Sequence, residues 1–265
     1  MGSATRHALA TATAAIETAG AAADLTAAEE LFSVSTVLDE NQQVRAALGD
    51  PAADGEAKAT LIRALFGSRL GDGAGAVLGT AVAQRWSHPG DIVSGVEELG
   101  IRVAAHAAAD PERVQRELFA FGGAVASDAE LELALGSRLG LEDAKRALVT
   151  RLLSEKAAPA TTAIVLQVVL HPRGRSVRAA VARAADVVAD QSGRTIARVT
   201  VAAPVASAQL DALAGKLSAQ YGTTVSINQI VDPAVVGGMR VRIGDEVIDG
   251  TIATRLAEVR RRLAG

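Results

Sequence analysis

The 265-residue chain contains no cysteine and few aromatic side chains: four Phe, one Trp and one Tyr, 2% of the sequence. The first absence removes disulfides, thiolate nucleophiles and cysteine-based zinc sites, and fits a reducing compartment. The second leaves little for nucleic-acid bases to stack on. With 27 basic against 30 acidic residues, for a net charge of -3, there is also no positive field to hold phosphates. Long apolar runs are missing too. Ala74 to Ala83 and Ala163 to Leu170 fall well short of the roughly 20 residues that span a bilayer. The stretch from Met1 to Leu25 is Ala/Thr-rich with one Arg, which reads poorly as a secretory signal, and Arg6 stands where a myristoylation motif needs Ser or Thr. The expectation is a soluble chain that would serve a membrane only by docking onto something else.

Hydrophobic residues nonetheless make up 49%, almost all Ala, Val, Leu and Ile, a profile suited to helices packed through small side chains. From residue 4 to about 191 the apolar spacing is helical. It predicts helices near 4-19, 27-39, 41-48, 55-67, 74-86, 90-107, 111-126, 128-135, 142-154, 159-170 and 174-191. Thr26 to Glu29 reads as a capping box, and Asp110 with Pro111 as an N-cap followed by a first-turn proline. The glycines from Gly71 to Gly75 read as an interhelix loop.

A repeat runs through this region. Leu31-Phe32 recurs 87 residues later as Leu118-Phe119, Ala47-Leu48-Gly49 as Ala134-Leu135-Gly136, and Ala57-Lys58 as Ala144-Lys145. The separation then falls to 83, where His88-Pro89 matches His171-Pro172. The helix at 90-107 falls where it can close one copy and open the next, as in stacked helical repeats. This predicts helical bundles over 1-107 and 108-191.

The pattern changes at Gln191-Ser192-Gly193. Thr195 to Val201 is β-branched; a helix follows with Leu210, Leu213, Leu217 and Tyr221 on one face and Gly222 as its stop. Val225 to Val231 and Met239 to Ile243 alternate as strands, Gly244-Asp245 reads as a hairpin turn into Glu246-Val247-Ile248, and Asp249 or Thr251 caps a closing helix striped by Ile252, Leu256, Val259 and Leu263. Arg260, Arg261 and Arg262 fall in its last turns, where cations suit the helix dipole. The fold class is therefore mainly α: two tandem helical-bundle units, then a small C-terminal α/β domain over 192-265.

Sites of chemistry are scarce. No P-loop string, no His-Glu-x-x-His and no serine nucleophile elbow occurs. Gly237-Gly238 precedes a strand, so it reads as a bend where backbones approach. His88 and His171 each precede a proline at a helix end, where imidazole can cap free carbonyls. Glu29-Glu30, Glu97-Glu98 and Glu142-Asp143 read as solvated faces, and Trp86 as core packing. No catalytic, cofactor-binding or metal-binding residue is assigned.

The string from Val231 through Asp232-Pro233, Gly237-Gly238-Met239, Gly244-Asp245-Glu246 and Asp249-Gly250-Thr251 into Arg255-Leu256 resembles the signature of the delta subunit of the bacterial F-type ATP synthase, homologous to the oligomycin-sensitivity-conferring protein. Ala197 to Pro204 resembles the family's preceding strand, although Val205 replaces its usual Leu and Thr251 its usual Ser. With His171-Pro172-Arg173 upstream, the resemblance covers nearly the whole chain. It implies a non-catalytic subunit of the peripheral stalk, on the cytoplasmic face of the membrane. Such a subunit takes N-terminal helices of the alpha subunits on its helical domain and the b subunit on its C-terminal domain, and keeps the catalytic hexamer from turning with the rotor. The duplication departs from the usual single copy, a pattern similar to actinobacterial relatives. The family's pattern puts the groove for the alpha helix near Leu9, Ile16, Leu78 and Val82; equally, these side chains fill the core. Two other readings stand beside this one: a free-standing helical-repeat adaptor for amphipathic helices, and, third, an enzyme carried by the α/β tail.

Overall fold

The computed structural model describes residues 2–50, 53–67, 69–137, 140–244, 246–252 and 254. They form two compact units, Met1–Gln191 and Ser192–Gly265.

The first unit is helical: α1 Ser3–Ala19, α2 Leu25–Glu40, α3 Gln42–Gly49, α4 Gly55–Phe66, α5 Asp72–Ala83, α6 Asp91–Ala107, α7 Pro111–Ser127, α8 Ala129–Gly136, α9 Glu142–Leu153, α10 Pro159–Leu170 and α11 Val177–Gln191. Each lies within a few residues of a predicted helix, because Ala, Leu and Val recur every three to four positions and bury one stripe. Two local expectations are corrected. The cap of α2 is Asp24, whose Oδ1 accepts from Ala27 N at 2.8 Å; Thr26 is already inside the helix, where its own N–H needs an acceptor from the residue before the first turn. Gly73 and Gly75 belong to α5 rather than a loop, and a Cβ on Gly73 would collide with the Ala22 carbonyl, so glycine is what lets this helix start close to the turn after α1. Asp110 caps α7 as expected, accepting from Arg113 N at 2.9 Å.

Burial recurs along the chain. Ala27, Leu31, Val34 and Leu38 of α2 are buried, and so are Val114, Leu118, Phe121 and Val125 of α7, each 87 residues on. Val77, Leu78, Ala81 and Val82 of α5 are buried, and so are Ala160, Thr161, Ile164 and Val165 of α10, each 83 residues on. Packing recurs too: α2 lies on α6 as α7 lies on α11, and α4 on α5 as α9 on α10. Helix α6 touches α1, α2, α3 and α5 on one side and α7, α10 and α11 on the other.

The second unit is a four-stranded sheet in the order β2-β1-β3-β4, with β1 Arg194–Val201, β2 Thr224–Val231, β3 Met239–Ile243 and β4 Glu246–Asp249. β1 and β2 are parallel, joined through α12 (Ser207–Tyr221); β3 is antiparallel to both β1 and β4. Gly222 ends α12 in the left-handed region at φ 67°, which only glycine adopts without cost. Ala197, Val199, Val201, Val225, Val241, Ile243 and Leu217 form its core. Asp245 and the closing-helix residues Leu256, Val259, Leu263, Arg260, Arg261 and Arg262 lie outside the described residues.

Candidate interaction surfaces

Among the described residues no group of His, Asp and Glu is placed to hold a metal, and no helix is long and apolar enough to cross a membrane. What the first unit offers is a face shared by α1 and α5. Leu9, Ile16, Leu78 and Val82 do not form its surface: they are 7%, 0%, 0% and 0% exposed and bind the two helices to the core. The accessible side chains stand beside them. A cavity of about 640 Å³ opens between the start of α1 and the end of α5, lined by Ala4, His7, Ala83, Gln84, Arg85 and Ser87, with Trp86 at its floor. Helical spacing puts Thr11 and Ala14 in line with Ala4 and His7, and Thr80 and Ala76 in line with Ala83. Away from His7, Gln84 and Arg85, the side chains along these two lines are methyls and hydroxyls.

Trp86 is core, as the sequence suggested: 4% exposed, its Nε1 donating to Ala81 O at 3.0 Å and its ring seated against Gly95 of α6, where a Cβ would collide with it. It thereby caps the end of α5, the role expected of His88, which is exposed. His171 does end α10, but through its backbone N–H to Gln167 O at 2.9 Å; burial holds its imidazole below the usual pKa, against the nearby Glu142.

Glu97 and Glu98 overturn the expectation of a solvated face, being 3% and 7% exposed on α6. Arg173 Nη1 reaches Glu97 Oε2 at 2.9 Å and Arg175 Nη2 the same oxygen at 3.3 Å. Arg173 also donates to Ser35 Oγ of α2 at 2.6 Å and pairs with Asp39 at 3.4 Å, so one side chain from the turn before α11 ties α6 to α2. Its backbone sits at φ 48°, a conformation costing of order 1 kcal/mol or more for a side-chain-bearing residue and sustained by these contacts. Glu98 pairs with Arg102 at 2.8 Å and with Arg183 of α11 at 2.6 Å. All four partners are arginines, each able to give several donors to a carboxylate. Nothing in helical periodicity signals this, since an acidic pair reads as exposed until the arginines are brought to it.

Glu30 also departs from the solvated reading, and Glu117 holds the matching place 87 residues on. Helices α5 and α10 have no side-chain cap of their own. Glu30 of α2 accepts from Gly71 N at 2.8 Å, at the start of α5; Glu117 of α7 accepts from Ala158 N at 2.8 Å and Thr161 Oγ1 at 2.6 Å, at the start of α10. Burial alone would raise the Glu117 pKa, but the hydrogen bonds from Thr161, Ala158 and Arg113 outweigh it and the carboxyl titrates below its ordinary value. The two glutamates stand 87 residues apart and do the same job.

In the second unit the motif residues build one corner. Asp232 N donates to Val201 O and its Oδ1 accepts from Ala234 N, both at 2.9 Å, turning the chain at Pro233 after β2. Gly237 and Gly238 have φ 64° and 78°, and a Cβ on Gly238 would lie 2.5 Å from Gly250 O, so this is the close backbone approach the sequence suggested. Asp249 accepts from Thr251 Oγ1 at 2.7 Å, Thr251 N at 3.0 Å and Arg240 Nε at 3.0 Å, which hold its carboxyl far below the usual range. Gly244 (φ 55°) carries the turn after β3; Val236, Val247, Ile248 and Ile252 are exposed apolar side chains of this unit.

Comparison with known proteins bears on these surfaces. The family model described as "ATP synthase delta (OSCP) subunit" matches residues 101–263, from within α6 onward. The chain is 50% identical over its whole length to the ATP synthase subunit delta of Leifsonia xyli, and 42% identical to that of Streptomyces griseus, with both relatives also covered in full. A chain of the Toxoplasma gondii mitochondrial ATP synthase hexamer overlays 63% of this chain and 95% of its own at TM-score 0.42 and 18% identity, too loose a likeness to argue from. With sequence, motif corner and helical unit in agreement, the chain belongs to the ATP synthase delta (OSCP) family, non-catalytic structural subunits of the F-type ATP synthase.

Proposed function

We propose that this chain links the top of the catalytic hexamer to the b subunit at the cytoplasmic face of the membrane, so that the hexamer does not turn with the rotor. Residues 1–107 and 108–191 are two copies of one helical module sharing α6, and the first copy takes an N-terminal helix of an alpha subunit across α1 and α5. The observation that carries this reading is the α1/α5 face: small side chains in register on two adjacent helices, beside an open cavity of about 640 Å³. An amphipathic helix laid in such a groove makes a recurring kind of protein contact. The C-terminal unit takes the b subunit on its exposed Val236, Val247, Ile248 and Ile252. Attachment at two places makes each one effectively intramolecular, so the linkage withstands load without very large interfaces.

The test is a pull-down from detergent-solubilised membranes with the full chain as bait. Recovery of alpha, beta and b subunits is expected. Ala14→Trp with Ala83→Arg, both at exposed positions, is expected to lose alpha and beta while keeping b. Failure of the folded wild-type chain to recover any of the three refutes the reading and favours a free-standing adaptor.

A further inference from the structure

The two copies do not present the same surface. α1 and α6 are both 17 residues long; α1 buries five residues along one stripe and α6 buries twelve, nearly its whole circumference. The excess is covered by the first copy. Phe32 of α2 lies on Gly100, the counterpart of half-buried Thr13 of α1, where a Cβ would come within 2.6 Å of its ring. α5 and α10 differ in the same sense. Ala163 and Gln167 of α10 are buried, whereas Thr80 and Gln84, 83 residues earlier in α5, are only half-buried. The cover is again α2: Gln167 Nε2 donates to Ser35 Oγ at 3.5 Å, and what stays open beside this contact is a cleft of about 540 Å³ between Ser33 and Thr36 of α2 and Leu166 of α10. Arg173 fastens the same helix from the other end through Ser35 and Asp39.

We infer that the α6/α10 face of the second copy, the counterpart of the α1/α5 face, is already filled by the chain's own α2, so that one chain binds one partner helix and does so on the first copy alone. The occupant is visible within the chain: a helix seated through an aromatic ring over glycine and a serine hydroxyl over a glutamine amide. The family model begins inside α6, so the module it describes is the one whose face is covered here, and the added first copy offers an open face in its place. Gly100 is the specific adaptation, since any side chain there would lift Phe32 off α6. The inference rests on the helix-binding reading above and adds its stoichiometry.

The experiment is calorimetric titration of the full chain with a synthetic peptide carrying the N-terminal helix of the alpha subunit. One peptide per chain is expected. Binding should be lost in Ala14→Trp with Ala83→Arg, and unchanged in Leu166→Trp on α10. The absence of native cysteine permits a second arm: Ser33→Cys with Leu166→Cys, which face each other across the α2/α10 cleft, joined by a short bis-maleimide, locks α2 over α10 and should leave the affinity within about twofold of the unlocked chain. Two peptides per chain, or one whose binding is abolished by Leu166→Trp or by the lock, overturns the inference while sustaining the helix-binding reading. No binding to folded wild-type chain sinks both.

Discussion

At the scale of single residues, carboxylates decide more than the composition suggests. Glu117 reaches from α7 to the uncapped start of α10, and its pKa is lowered because the folded state offers three donors to the ionised form. A group whose folded pKa is depressed adds stability above its unfolded pKa, about 4.3 for Glu, and loses it as pH falls through the folded value. Glu117→Gln should therefore lower the urea midpoint at pH 7 by an amount equivalent to about 1 kcal/mol, the usual worth of a helix cap, and the gap to wild type should narrow below about pH 4. A gap that does not change with pH would show that Glu117 acts by packing instead. Arg173 carries a larger share, since it neutralises a nearly buried Glu97 whose Oε1 already has no hydrogen-bond partner among the described residues. Arg173→Met should cost about 1–3 kcal/mol in chemical unfolding, because it leaves buried Glu97 with Arg175 alone and Ser35 without its donor.

At the scale of elements, the positions where helices touch at glycine separate what periodicity reveals from what it hides. The places of eleven helices, to within a few residues at their ends, were legible from apolar spacing, as were the strands and the stop at Gly222, since each depends on neighbours along the chain. Gly73 was not: read locally, a cluster of glycines is a loop, and only the approach of Ala22 makes it the first turn of α5. The corner at Gly237-Gly238 was legible as a bend, and the structure adds what it bends around. Gly238→Ala should destabilise the second unit by about 1–3 kcal/mol, because it forces a side chain into φ 78° and against Gly250 O. Hydrogen exchange should speed up in β3 and β4 while the amides of α6 and α11 keep their protection; uniform loss of protection in both units would contradict this.

At the scale of the whole molecule, the repeat and the motif were written in the sequence, and the use made of them was not. Matching residues 87 and 83 positions apart follow from the order of amino acids, and so does the family resemblance of the stretch from Val231 to Thr251. Burial at single positions was not legible: Leu9, Ile16, Leu78 and Val82 are inside the core, while Ala14 and Ala83 on the same two helices are exposed. By itself the sequence determined helix positions, strand positions and family, because these rest on short-range spacing and on motif identity. Only the tertiary structure decided which acidic residues are buried, which helix ends borrow a cap from elsewhere, and how much more of α6 than of α1 is covered. Those outcomes depend on side chains from distant segments competing for the same surface, as Phe32 and Trp86 do on α6, and no spacing along one segment records who wins.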